Sequence, residues 1–126
     1  VTSAIRGRAI LLLAAGVLVA CTATDGAGGS PPPAPSGGAV ITAQGIAFDR
    51  QQLDVPAGLP FPLLFENRES APHNIRIYEI VDRPLFVGEV FSGPASRTYT
   101  VPAIPSGAFH FRCDVHPDMS GTVTAG

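Results

Sequence analysis

Residues 108–119 read AFHFRCDVHPDM, and they decide the fold. The first half alternates. Phe109, Phe111 and Cys113 fall on one face of an extended chain, while His110 and Arg112 fall on the other. A period of two predicts a half-buried β-strand ending on an inward-facing thiol. The second half, Cys113-Asp114-Val115-His116-Pro117-Asp118-Met119, is a tight loop containing a proline. It can turn His116 and Met119 back towards the sulfur that precedes them. His110 faces away from that point and reads as a surface residue.

Working outward, other stretches repeat the pattern. Phe61, Leu63 and Phe65 alternate, with Asn67 continuing their face. Asn74 to Tyr78 sets Ile75 and Ile77 opposite Arg76, and Gln51 to Val55 leads into a Pro-Ala-Gly turn. Val87 to Phe91, Arg97 to Val101 and Gly121 to Thr124 are further candidates, and Val40, Ile41 and Phe48 mark a first strand region broken at Gly45. The 126 residues include 14 Gly and 13 Pro, which disfavour helix. No helical period runs long enough to matter. Short strands between closely spaced turns predict an all-β, Greek-key β-sandwich of about 7–8 strands over residues 39–126. A domain of that size buries only about 60–65% of its chain surface on folding, so a bound metal would add useful stability.

The first residues are read as an address. Arg6 and Arg8 precede a 12-residue apolar run from Ala9 to Ala20, too short for a spanning helix of about 20 residues. The run closes Leu18-Val19-Ala20-Cys21. This resembles the bacterial lipobox, which implies cleavage before Cys21 and a diacylglycerol on its sulfur. Residues 1–20 are then a signal peptide. Residues 21–38 are a lipidated Cys followed by a flexible linker, with five Gly and four Pro between Thr22 and Gly38. The expected location is the periplasmic or extracellular side of a membrane. The two cysteines would suggest a disulfide by default, but a lipid on Cys21 leaves Cys113 a lone thiol outside the cytoplasm, where it needs an occupant.

Cys113-x2-His116-x2-Met119, with Pro72-His73-Asn74 upstream, assembles a thiolate, two imidazoles and a thioether. That soft set suits copper, and His₂Cys with a long axial Met is the blue-copper arrangement. With three His and one Met in the chain, the spacing arises by chance about twice in ten thousand. These residues resemble those of the cupredoxins, single-domain blue copper proteins of the plastocyanin, amicyanin and pseudoazurin group. The resemblance covers residues 39–126 and includes the Ser120-Gly121-Thr122-Val123 exit. The gap between His116 and Met119 is the short form seen in amicyanin and pseudoazurin. The resemblance implies one copper ion cycling between Cu(I) and Cu(II), with His73, Cys113 and His116 as equatorial ligands and Met119 as the weak axial one. It also implies that Asn74 steadies the ligand loops by bonding near Cys113. The domain is shorter than most relatives, so the loops shaping a docking face are expected to be trimmed.

A closed ligand set leaves no position for substrate, so the expected role is single-electron transfer, not catalysis. Redox partners would dock near His116, the ligand expected to be most exposed, against Pro117 and other apolar loop residues. The competing class is a copper protein for supply, storage or detoxification. Such proteins usually expose Met- or His-rich sites, and one Met with no His cluster argues against it. Three His are too few for a multicopper oxidase, and a dinuclear centre would need a second loop Cys. Eight Arg, no Lys and ten acidic residues give a net charge of −2 and no basic footprint for nucleic acid. Asp114 and Asp118 read as solvated surface, Tyr78 and Tyr99 as packing residues, and Glu66, Glu69 and Glu79 show no catalytic spacing. A monomer is expected.

Overall fold

Apolar side chains at every second position need a second surface to bury against, and here two sheets supply it for each other. The computed structural model describes residues 37–80 and 83–126. The leader, Cys21 and all but the last two residues of the linker lie outside them. The strands are β1 Ala39–Ala43, β2 Gln52–Val55, β3 Phe61–Asn67, β4 Pro72–His73, β5 Arg76–Ile80, β6 Arg83–Val87, β7 Phe91–Ser92, β8 Ala95–Val101, β9 Gly107–Arg112 and β10 Ser120–Ala125. One sheet has the order β1-β3-β8 and the other β2-β10-β9-β5-β6, with β4 and β7 forming a separate ribbon. The β1–β3 and β2–β10 pairs are parallel, and all others are antiparallel. Among the described residues no helix forms. The molecule is an all-β sandwich.

Alternation works as read in β9, where Phe109 and Phe111 are buried and His110 is exposed. It fails in β3, where Leu64 and Glu66 are buried alongside Phe61, Leu63, Phe65 and Asn67. β3 is the central strand of its sheet, and Glu66 is covered by Arg68, whose Nη2 lies 2.6 Å from Glu66 Oε2. The expected strand at Val87 to Phe91 splits. β6 ends at Val87 and β7 begins at Phe91. Between them the Gly88 N–H donates to Ile75 O at 2.8 Å, so the chain bonds across to the strand-entry segment instead of extending. Likewise β5 starts only at Arg76, because His73 pairs with Phe91 in the ribbon and Asn74 is diverted into side-chain bonds. These splits raise the strand number above the expected 7–8.

The core joins the sheets through aromatic contacts. Phe48 meets Phe111 of β9 at 5.3 Å between centroids and Phe65 of β3 at 6.3 Å, and Phe65 meets Phe91 of β7 at 5.5 Å. Such edge and tilted pairs add about 0.5–1.5 kcal/mol each beyond burial. The series runs from the strand that delivers Cys113 to the ribbon that delivers His73.

Gly121 sits opposite Phe111 in the β9–β10 register. A Cβ there would enter the Phe111 ring and lie 2.5 Å from Gln51 O. Gly121→Ala should therefore cost about 2 kcal/mol by overpacking. Urea unfolding should show a lower midpoint, and an unchanged midpoint would contradict this packing.

Candidate metal centre

Two chain segments 40 residues apart carry the site. β9 delivers Cys113 just beyond its last residue, on the buried face already set by Phe109 and Phe111. The chain then turns. Met119 N–H donates to His116 O at 2.9 Å, and Cys113 N–H donates to Met119 O at 2.9 Å. These two bonds close the 113–119 loop on itself and return Met119 to the interior, where it is 4% exposed. On the other segment, ribbon pairing with Phe91 places His73 fully inside.

His73 Nδ1 lies 3.7 Å from Cys113 Sγ, His116 Nδ1 lies 3.9 Å from it, and the two nitrogens are 3.2 Å apart. Metal–nitrogen bonds of about 2.0 Å and a metal–sulfur bond of about 2.3 Å in a trigonal plane would set nitrogens about 3.5 Å apart and sulfur about 3.7 Å from each. The three donors thus stand at separations one metal ion can span. Cys113 and His73 are buried and His116 is half-buried. Met119 packs in the same core cluster as Cys113. The soft character of the set fits copper.

Asn74 holds the two segments together. Its Oδ1 accepts the Asp114 N–H at 2.8 Å, and its Nδ2 donates to Asp114 Oδ2 at 2.9 Å and to Gly88 O at 3.1 Å. Asp114, read from sequence as solvated surface, is instead bound on several sides, with Arg76 Nη1 at 3.2 Å from its carboxylate. Burial works against its ionisation, but the bonds from Asn74 and Arg76 prevail and hold its pKa below the ordinary carboxylate value. Asp118 is exposed.

Glu69 is the functional neighbour that sequence reasoning missed. Its Oε1 lies 2.7 Å from His73 Nε2. The Ile46 N–H foremost, then His73, keeps its pKa below the ordinary value. The usable signal is an acid a few positions before a candidate ligand His, within reach of the ring's far nitrogen.

The pattern of the cupredoxin-like domain matches residues 10–125. The chain belongs to the cupredoxin-like family. No curated protein matches it. Among solved structures, auracyanin from Roseiflexus castenholzii aligns with TM-score 0.64 at 20% identity, over 75% of this chain and 99% of that one. Auracyanin A from Chloroflexus aurantiacus, described as a blue copper protein, gives 0.62 at 18%, over 69% and 96%. Amicyanin from Paracoccus versutus gives 0.57 at 20%, over 73% and 84%. At these identities the likeness concerns the fold.

His110 of this cupredoxin-like chain lies outside the cluster. It is exposed and packs against Tyr78, with ring centroids 5.6 Å apart. His110→Ala should leave copper content and the visible spectrum unchanged. Loss of metal would contradict the assignment of faces on β9.

Proposed function

We propose that the chain is a blue copper protein that carries single electrons between redox partners outside the cytoplasm, tethered to a membrane by a lipid on Cys21. The observation that carries the electron-transfer reading is the cluster of His73, Cys113 and His116, whose donor atoms lie 3.2–3.9 Å apart just beyond the end of β9. In this reading these three residues and Met119 hold one copper ion, which supplies a one-electron couple. The cupredoxin-like family and the blue copper protein among its structural neighbours support the same reading.

The residues around the cluster suit that work. Burial of Cys113 keeps water and oxidants from the sulfur. The closed 113–119 loop and the Asn74 clasp fix the donors from both sides, so little has to rearrange when the charge at the centre changes. His116 is more exposed than His73 and lies between Val115 and Pro117, both exposed. That is the natural entry point for an electron and an apolar surface for a partner to cover. Ile46 is exposed too, and borders a small cavity shared with Asp118 and Met119.

The lipid tether rests on the Leu18-Val19-Ala20-Cys21 motif and the Gly- and Pro-rich segment after it. It would hold the domain near a membrane while leaving it free to swing. Removing the leader leaves ten acidic residues against six Arg, which suits solubility and offers no attraction to anionic lipid.

Two cysteine variants separate the halves of this proposal. The copper-loaded wild type should be intensely blue with a reversible one-electron couple, and Cys113→Ser should abolish the colour. A blue Cys113→Ser protein, or a colourless wild type that hands Cu(I) to a chelator, would contradict the carrier reading. Cys21→Ser should move the protein out of the membrane fraction of a bacterial host, and its retention there would contradict the lipid.

A further inference from the structure

The Glu69 carboxylate collects three N–H groups. Oε1 accepts from the Ile46 N–H at 2.9 Å and lies 2.7 Å from His73 Nε2, while Oε2 accepts from the Gly45 N–H at 3.0 Å. Its main chain is pinned as well. The Glu69 N–H donates to Asn67 Oδ1 at 3.0 Å, and its carbonyl accepts from the Gly93 N–H at 2.9 Å.

The turn that supplies two of those donors is strained. Gly45 has φ of 66° and Ile46 has φ of 54°. A β-branched residue in the left-handed region is an outlier. Ile46 is 47% exposed, so burial does not explain why the backbone stays there. What the conformation achieves is to aim two successive N–H groups at one carboxylate, a small anion cradle. Strain of this kind persists where the surroundings over-determine it, and it clusters at functional sites.

A carboxylate only accepts hydrogen bonds, so His73 must carry its proton on Nε2. The neutral ring then has a bare Nδ1, the atom that faces Cys113 Sγ and His116 Nδ1. An acceptor on the far nitrogen also makes the near nitrogen a stronger base. A negative charge this close favours the more highly charged state of a bound metal. Glutamine could take over only in part: its oxygen in the Oε1 place would still accept from Ile46 and His73, but its NH₂ would face the Gly45 N–H and the negative charge would be gone.

We propose that Glu69 is a positioning residue, clamped by the Gly45–Ile46 turn, that locks His73 in its Nδ1-donor form and biases the centre towards the oxidised metal. The proposal rests on the copper electron-carrier reading.

The test compares the copper-loaded full chain with its Glu69→Gln variant. The wild-type spectrum comes first, since a colourless wild type would overturn the carrier reading itself before any comparison is made. With a blue wild type, Glu69→Gln should bind copper and stay blue. Its preference for Cu(I) over Cu(II) should rise about tenfold, an upward shift of about 59 mV in reduction potential. An unmoved potential in a blue variant would overturn the role of Glu69 while leaving the carrier reading intact. A second measurement needs no variant to fold. Imidazole nitrogen NMR of the metal-free wild type should show His73 protonated at Nε2 and bare at Nδ1, and the opposite tautomer would overturn the proposal.

Discussion

The hydrogen bond from the Asp114 N–H to Asn74 Oδ1, at 2.8 Å, is the constraint on which the rest depends. It joins the residue after one donor, His73, to the residue after another, Cys113. Beyond it the two segments run into neighbouring strands, β5 and β9, which pair from Arg76 and Arg112 onward, and Arg76 adds an ion pair to the Asp114 carboxylate. Net, such a hydrogen bond contributes about 1 kcal/mol, and leaving its buried partners unpaired would cost about 1–3 kcal/mol. Asn74 makes two further bonds, so the whole amide is engaged. An Asn at this position cannot be replaced by an apolar residue without stranding the Asp114 N–H.

From that clasp the arrangement spreads in two directions. Downstream, the 113–119 loop closes through two main-chain bonds, brings His116 back to the sulfur and returns Met119 to the core. Upstream, Asn67 fixes the 67–73 turn: its Nδ2 donates to Ala71 O at 2.8 Å and to Phe91 O at 2.9 Å. The aromatic series Phe111, Phe48, Phe65 and Phe91 ties both ends into one core. Close-packed interiors resist deformation. A centre supported in this way keeps its geometry when its charge changes, which is what an electron carrier needs.

Much of this was legible in the sequence, for definable reasons. The 108–119 stretch could be read because strand alternation and ligand spacing are local signals, and its Cys, His and Met types are rare in this chain. His110 was correctly set apart on alternation alone. What stayed hidden was set by contacts distant in sequence. The buried second face of β3 depends on what covers a central strand. The interruption at Gly88 depends on a bond to Ile75. Asp114 looked like surface because its partners, Asn74 and Arg76, lie about 40 residues away. Glu69 escaped because its partners come from a left-handed turn that no periodicity announces at Ile46.

The geometry implies that one metal ion is held by donors the polypeptide has already placed. Crystal structures of the copper-loaded protein in both oxidation states, beside the metal-free form, test it most directly. One copper should be bonded to Cys113 Sγ, His73 Nδ1 and His116 Nδ1 in both loaded states, with separations among these atoms close to the 3.2–3.9 Å seen here. Copper bound elsewhere, or three donors that come together only when the metal arrives, would contradict it.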